Sequence, residues 1–135
     1  MDGDFSYLIW VNGQPPYTVL EFGALTISVS THGKLIYNDG ANYIERQLAL
    51  KNGWNSLLVE RKNMDVIVGL NGNIVDTLAL TDKVTYSGTL TINPNTTLDI
   101  FDVRLYDKAI STGGYFYYCG EITTNSGKVF CPLWV

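Results

Sequence analysis

Apolar and polar residues alternate along short segments of the chain, and turn-forming dipeptides separate these segments. Residues 25–30 read Leu-Thr-Ile-Ser-Val-Ser, so three apolar side chains share one face of an extended strand and three hydroxyl side chains share the other. Similar runs rich in β-branched and aromatic residues recur, and they are bounded by Asn12-Gly13, Asp39-Gly40, Asn52-Gly53 and Asn71-Gly72. This pattern predicts antiparallel sheets with almost no helix, in a single domain of 135 residues.

The last part of the chain predicts a β-hairpin. Residues 115–122 and 128–135 have the composition of two strands, and residues 123–127 form the connecting loop. This register places Cys119 opposite Cys131 and permits a disulfide, whereas the alternative is two buried free thiols.

Aromatic residues occupy both faces of the first strand of this predicted hairpin, which implies that both faces are covered. One cover is expected to be another protein chain, in an interface formed by Tyr115, Phe116, Tyr117, Tyr118 and Trp134.

Four segments resemble, in the same order, strands of concanavalin A-like (laminin G-type) jelly-roll domains. Residues 98–111 (LDIFDVRLYDKAIS) look like the family's late strand and exit turn, and residues 53–61 look like the strand that carries a Trp near its start. Residues 64–80 are similar to the family's hairpin with a short Asn-Gly turn. Residues 5–11 are similar to the early strand that carries a buried Trp.

The resemblance implies an all-β, two-sheet antiparallel jelly-roll sandwich over residues 1–111, with the added C-terminal hairpin over residues 112–135. It also implies that Trp10 and Trp54 are core residues. The family usually has one further strand before the one that contains Trp10, and we expect residues 115–135 to cover the sheet edge that this leaves open.

Composition narrows the range of partners. The net charge is -4 and no basic stripe is present, so nucleic acid is not an expected partner. Charged residues make up 16% of the chain, below the roughly 25% of typical soluble domains, which suits an extracellular or virion surface. No apolar run approaches the ~20 residues of a membrane span, and no secretory signal is visible, so membrane insertion is not expected.

The sequence does not predict an enzyme. Glycoside hydrolases of related fold use carboxylates on one strand face, about 5 Å apart, whereas Asp99 and Asp102 are three residues apart and point to opposite faces of a regular strand. His32 is the single histidine and is expected in a solvated loop, without the partners that a nucleophilic site or a zinc site needs.

Calcium is the one cofactor that the resemblance suggests, because many relatives bind it through loop oxygens. The candidate ligands are Asn38, Asp39 and Asp102, and the alternative is that these are ordinary turn and strand-end residues. The family often shows two adjacent Asp residues before its Val-Arg pair, and here Phe101 replaces the first.

Sugar binding requires exposed aromatic rings that stack on pyranose faces, beside polar groups that hydrogen-bond the hydroxyls. Tyr17, Tyr37 and Tyr43 lie near predicted loops or strand ends and are the candidate residues.

Two non-catalytic functions are consistent with the sequence. The first is a virion or surface-assembly component, such as a bacteriophage capsid-decoration, head-fibre or tail protein, bound to other protein subunits. The alternative is a lectin-like module that binds cell-surface or polymeric glycans. A single module that begins at Met1 and ends on Trp134 and Val135 favours the assembly role, in which partners hold both termini.

Overall fold

The computed structural model of the protein describes residues 4–86, 90–93, 98–106 and 122–124. Within these ranges the chain forms eleven strands and no helix. The strands are β1 (Phe5–Asn12), β2 (Tyr17–Phe22), β3 (Leu25–Val29), β4 (Lys34–Asn38), β5 (Tyr43–Gln47), β6 (Trp54–Lys62), β7 (Asp65–Leu70), β8 (Asn73–Ala79), β9 (Leu90–Asn93), β10 (Asp99–Tyr106) and β11 (Ile122–Thr124).

The strands of the described ranges form two sheets. The five-stranded sheet has the order β10-β1-β6-β7-β8, and the six-stranded sheet has the order β11-β9-β2-β3-β4-β5. Neighbouring strands pair antiparallel, except that β11 runs parallel to β9. The predicted all-β sandwich of two sheets is therefore confirmed.

The core lies between the two sheets and follows from the two-residue alternation of the strands. In β1 the odd-numbered residues are buried and face the six-stranded sheet. Ile27 and Leu35 are buried on the opposite side. The hydroxyl of Tyr7 crosses the interior and donates a hydrogen bond of 2.6 Å to the carbonyl of Val19, and burial raises the pKa of Tyr7 far above its ordinary value.

The hairpin between β7 and β8 has the predicted Asn-Gly turn. Asn71 and Gly72 have φ angles of 52° and 86°, the left-handed conformation that two-residue hairpin turns require. The backbone N–H of Asn71 donates to the carbonyl of Ser56, while the side-chain oxygen of Asn71 accepts from the Ser56 N–H, each at 2.9 Å. The turn therefore also fixes the start of β6.

The predicted C-terminal loop is wrong at Thr123 and Thr124, because both belong to β11. Their β-branched side chains favour an extended backbone, and β9 offers a partner for parallel pairing. The rest of the predicted hairpin lies outside the described residues. So do the pairing of Cys119 with Cys131 and the predicted interface of Tyr115, Phe116, Tyr117, Tyr118 and Trp134.

A buried ion pair anchors one end of the sandwich. Arg61, on the inward face of β6, is fully buried, and its Nη1 lies 3.3 Å from Oδ2 of Asp39. The guanidinium also donates to the carbonyls of Asp82 at 3.0 Å and Val84 at 3.2 Å, and to the hydroxyl of Tyr86. The ion pair therefore joins β6 to the turn at Asp39, and the other hydrogen bonds of the guanidinium join β6 to the segment that follows β8.

Asp39 is the acceptor at the centre of this network, in the turn between β4 and β5. Its carboxylate accepts hydrogen bonds from the Asn42 N–H at 2.7 Å, the Ala41 N–H at 3.1 Å and the Tyr37 hydroxyl at 2.8 Å. Burial alone raises the pKa of Asp39, but the hydrogen bonds from Tyr37, Asn42 and Ala41 outweigh it, so the pKa lies below its ordinary value. The folded state thus favours the charged carboxylate.

We expect Asp39→Asn to lower the free energy of unfolding at pH 7 by about 3 kcal/mol, because it leaves the charge of Arg61 buried without its partner. The folded pKa of Asp39 is depressed, so its contribution is complete above the unfolded value of about 4 and is lost as the pH falls through the folded value. The difference between wild type and variant should therefore narrow below about pH 4. Urea unfolding of both proteins between pH 7 and pH 2.5 measures this difference in the free energy of unfolding. The exposed Asp65→Asn is the matched control, and a difference that stays constant over this range would contradict the account.

Candidate functional site

Two tryptophans lie on the outer face of the five-stranded sheet. Trp10 is 36% exposed and Trp54 is 40% exposed, so the prediction that they are core residues is wrong. In β1, Ile9 and Val11 face the core, and the alternation of the strand turns Trp10 outward. In β6 the inward positions are odd-numbered, which places Trp54 on the outer face as well.

The two indoles are neighbours on this face. In the pairing of β1 with β6, Trp10 lies opposite Ser56 and Asn12 lies opposite Trp54. Trp10 and Trp54 are therefore diagonal partners, a relationship that separates two residues by roughly 7–8 Å and lets aromatic side chains reach each other. Each indole faces a small polar residue across the strand pair.

A cleft of about 180 Å³ lies beside Trp10 and is lined by Leu8, Ile9, Trp10, Ser56 and Arg104. Arg104 belongs to β10, where it lies opposite Leu8. This cleft therefore draws on three adjacent strands, β10, β1 and β6, and combines an indole, a hydroxyl group and a guanidinium.

A second cleft of about 320 Å³ lies at the loop end of the sandwich near Trp54. Loop residues 13–15, 31–33 and 48–53 line it, together with Gln47 and Asn55. The side chain of Asn55 accepts from the N–H of Lys51 at 3.0 Å and donates to the Lys51 carbonyl at 2.9 Å, which fixes the loop before β6. His32 lines this cleft and is exposed, as its predicted loop position implied.

Two of the three predicted tyrosine platforms are wrong, because Tyr37 is fully buried and Tyr17 is 5% exposed. Tyr37 shares the inward face of β4 with Leu35, and its hydroxyl finds partners in Asp39 and Tyr86. Burial of the phenol raises the pKa of Tyr37 far above its ordinary value. An interior tyrosine offers no ring face to a sugar.

Tyr43 is 59% exposed, as predicted, but lies on the outer face of β5, an edge strand of the other sheet. Its hydroxyl donates to Oε1 of Glu45 at 2.6 Å, and this hydrogen bond to the carboxylate raises the pKa of Tyr43. Tyr43 therefore does not belong to the surface formed by Trp10 and Trp54.

The structure leaves Asp39 unsuited to the predicted calcium site, since its carboxylate is buried and bonded to Arg61, Tyr37 and Asn42. The side-chain oxygen of Asn38 accepts from the N–H of Gly40 at 2.9 Å, and the side chain of Asp102 lies outside the described residues. In the part of the chain that is described, no group of three His, Cys, Asp or Glu residues could hold a metal ion. Nor does this part contain a helix long and apolar enough to cross a membrane.

Solved structures share the β-sandwich fold. A protein from Bacteroides ovatus, provisionally designated as carbohydrate-binding, superposes with a TM-score of 0.63 at 12% identity, over 80% of this chain and 38% of that protein. Domain 4 of AbnA, a GH43 extracellular arabinanase from Geobacillus stearothermophilus solved with arabinotriose, gives 0.49 at 17% identity, over 79% of this chain and 62% of that one. The likeness to the first shows the fold alone. No protein-family model and no curated protein matches the sequence.

Sequence reasoning missed Trp10, Trp54 and Arg104 as site residues. A usable signal exists in residues 5–11, where the odd-numbered positions already supply a complete apolar face and leave Trp10 on the other. The position of Arg104 beside Trp10 depends on cross-strand register, for which the local sequence gives no signal.

We expect Trp10→Ala and Trp54→Ala each to lower the free energy of unfolding by only about 1 kcal/mol, because much of each indole is already in solvent. Tyr37 is buried, so Tyr37→Ala should lower the free energy of unfolding by about 3–5 kcal/mol, because it leaves a cavity and removes a partner of Asp39. Urea unfolding of the three variants measures this. Equal losses for all three would mean that the tryptophans are part of the core.

Proposed function

We propose that the protein is a non-catalytic carbohydrate-binding module whose ligand lies on the outer face of the five-stranded sheet. The observation that carries the proposal is the pair of exposed, diagonally placed indoles of Trp10 and Trp54. The C–H faces of pyranose rings are apolar, so aromatic rings stack on them, and two neighbouring indoles suit successive rings of one glycan chain.

Polar groups beside the indoles support this choice of ligand. Ser56 lies opposite Trp10 and Asn12 opposite Trp54, and both are partly buried. A hydroxyl group and a carboxamide supply the donors and acceptors that sugar hydroxyls require, close to each stacking surface.

The likeness in fold to the Bacteroides ovatus protein supports the class of function, and no more than that. We also propose, from the sequence resemblance, that the sandwich is a concanavalin A-like jelly roll. We also propose that the module binds its ligand without catalysing a reaction, since none of the described residues that line the two clefts is Asp or Glu. An extracellular location follows from the polymeric ligand and is part of the same proposal.

The role in a virion or surface assembly is the second candidate. It is favoured by the edge strand β8, where Ile74 is 59% exposed and Val75 is 48% exposed, because exposed apolar edge strands are contact sites for other chains. Sedimentation velocity distinguishes the two functions: a glycan-binding module remains a monomer at micromolar concentration, and an assembly component self-associates through this edge.

A glycan array followed by affinity electrophoresis with the polysaccharides that bind tests the proposal. We expect Trp10→Ala and Trp54→Ala each to weaken binding at least tenfold, which corresponds to about 1.4 kcal/mol. Tyr43→Ala is the matched control, because it removes an exposed aromatic residue from the other sheet and should leave binding unchanged. Wild-type protein that binds no glycan, or tryptophan variants that bind as wild type does, would refute the proposal.

A further inference from the structure

We infer that the ligand of this face is an acidic polysaccharide, in which carboxylate groups on the sugar rings pair with Arg104 and Lys51 while the rings stack on Trp10 and Trp54. The inference rests on the proposed function and deepens it by naming the chemical class of the glycan. Three observations support it: the position of Arg104 in the Trp10 cleft, the closeness of Lys51 to Trp54 along the chain, and the charge of the residues that line the two clefts.

Arg104 lies where a substituent of a stacked sugar ring would reach it. It lines the same cleft as Trp10 and Ser56, and its strand β10 is paired directly with β1. A guanidinium is planar and carries five N–H donors, so it can bind a carboxylate with two parallel hydrogen bonds and still serve other acceptors. A neutral sugar gains less from such a group than a uronic acid does.

The second cation lies in the neighbouring cleft, within reach of the same glycan chain. Lys51 is exposed and lies three residues before Trp54, in the loop that leads into β6. Asn55 faces inward, so the loop-end cleft that it lines with Lys51 opens at the end of the sandwich, next to the tryptophan face. At about 3.3 Å per residue, residues 53 and 56, which line the loop-end cleft and the Trp10 cleft, are only about 10 Å apart. A polymer that is stacked on the indoles and continues past Trp54 over the end of the sheet can therefore contact Lys51, whose backbone Asn55 holds in place.

The charge of the two clefts is opposite in sign to that of the whole chain. The protein has 13 acidic residues against 9 Lys and Arg, a net charge of -4. Among the described residues that line the clefts, the charged side chains are Arg104 and Lys51. Asp99, opposite Asn12 at the start of β10, lines neither cleft. An anionic polymer is therefore attracted to these two clefts and repelled by the protein's net charge elsewhere.

Polygalacturonate and its methyl ester test the inference, because they share one backbone and differ in charge. We expect wild-type protein to bind polygalacturonate at least tenfold more tightly in calorimetry at low salt, and added NaCl to narrow the difference. Arg104→Gln should weaken binding of polygalacturonate about tenfold, and Lys51→Gln about threefold, with little effect on the ester. Arg104→Lys keeps the charge but loses the planar fork, so its affinity should be intermediate.

Lys34→Gln is the control, because it removes one positive charge from an exposed position on the other sheet and should leave the ratio of the two affinities unchanged. Equal affinity for the two polymers would overturn the inference, as would Arg104→Gln and Lys51→Gln variants that behave like Lys34→Gln. If the charge preference is absent but Trp10→Ala still weakens glycan binding at least tenfold, the proposed function stands and only the inference about charge fails. Wild-type protein that binds neither these polymers nor any glycan on an array would overturn both. If Arg104→Gln lowers the melting temperature, Arg104→Lys decides the outcome in its place.

Discussion

The alternation of side-chain direction in β1 and β6 is the constraint on which the rest of the structure depends. These two strands are neighbours inside the five-stranded sheet, so each contributes one face to the core and one to the outer surface. A shift of one residue in either strand would move its whole apolar set to the opposite face. The register that buries Tyr7 and Val59 is therefore also the register that exposes Trp10 and Trp54.

Stability and proposed function are located at opposite ends of β6. Arg61 forms the buried ion pair with Asp39 near the end of the strand, and Trp54 begins it, seven residues earlier, or roughly 23 Å at the usual rise. The buried network ties together the turn at Asp39, strand β6 and the segment around Tyr86. Substitutions on the tryptophan face should therefore act on binding with little effect on folding, which makes the two properties separable by experiment.

Much of the architecture could be predicted from sequence, and the reason is local. Residues 25–30 alternate between aliphatic and hydroxyl side chains, so β3 was unambiguous, and the Asn71-Gly72 dipeptide predicts its own turn. In residues 5–11 the odd-numbered positions form a complete apolar face, but Leu8 and Trp10 make the other face partly apolar as well, so the signal is weaker than in β3. The family resemblance then pointed to the wrong face for Trp10.

The site itself was largely missed, because it depends on contacts between distant residues. A charged residue is normally expected in solvent. Arg61 and Trp54 are seven positions apart in one strand and so face opposite sides, which means that an outward Arg61 would require an inward Trp54. Arg61 is instead buried because Asp39, 22 residues earlier, provides its counter-charge. The same network explains the burial of Tyr37, whose hydroxyl bonds to Asp39 and Tyr86. No local pattern reveals these partners, and none brings Arg104 beside Trp10.

The most direct test of the proposed binding face is a titration of isotope-labelled protein with oligomers of the glycan that binds most tightly on an array, observed through the indole N–H resonances. Substitution of each tryptophan by Phe assigns the three indole signals. We expect the Trp10 and Trp54 signals to show the largest shifts and to saturate together. Saturating shifts elsewhere, with both of these signals unchanged, would show that the glycan binds at another surface.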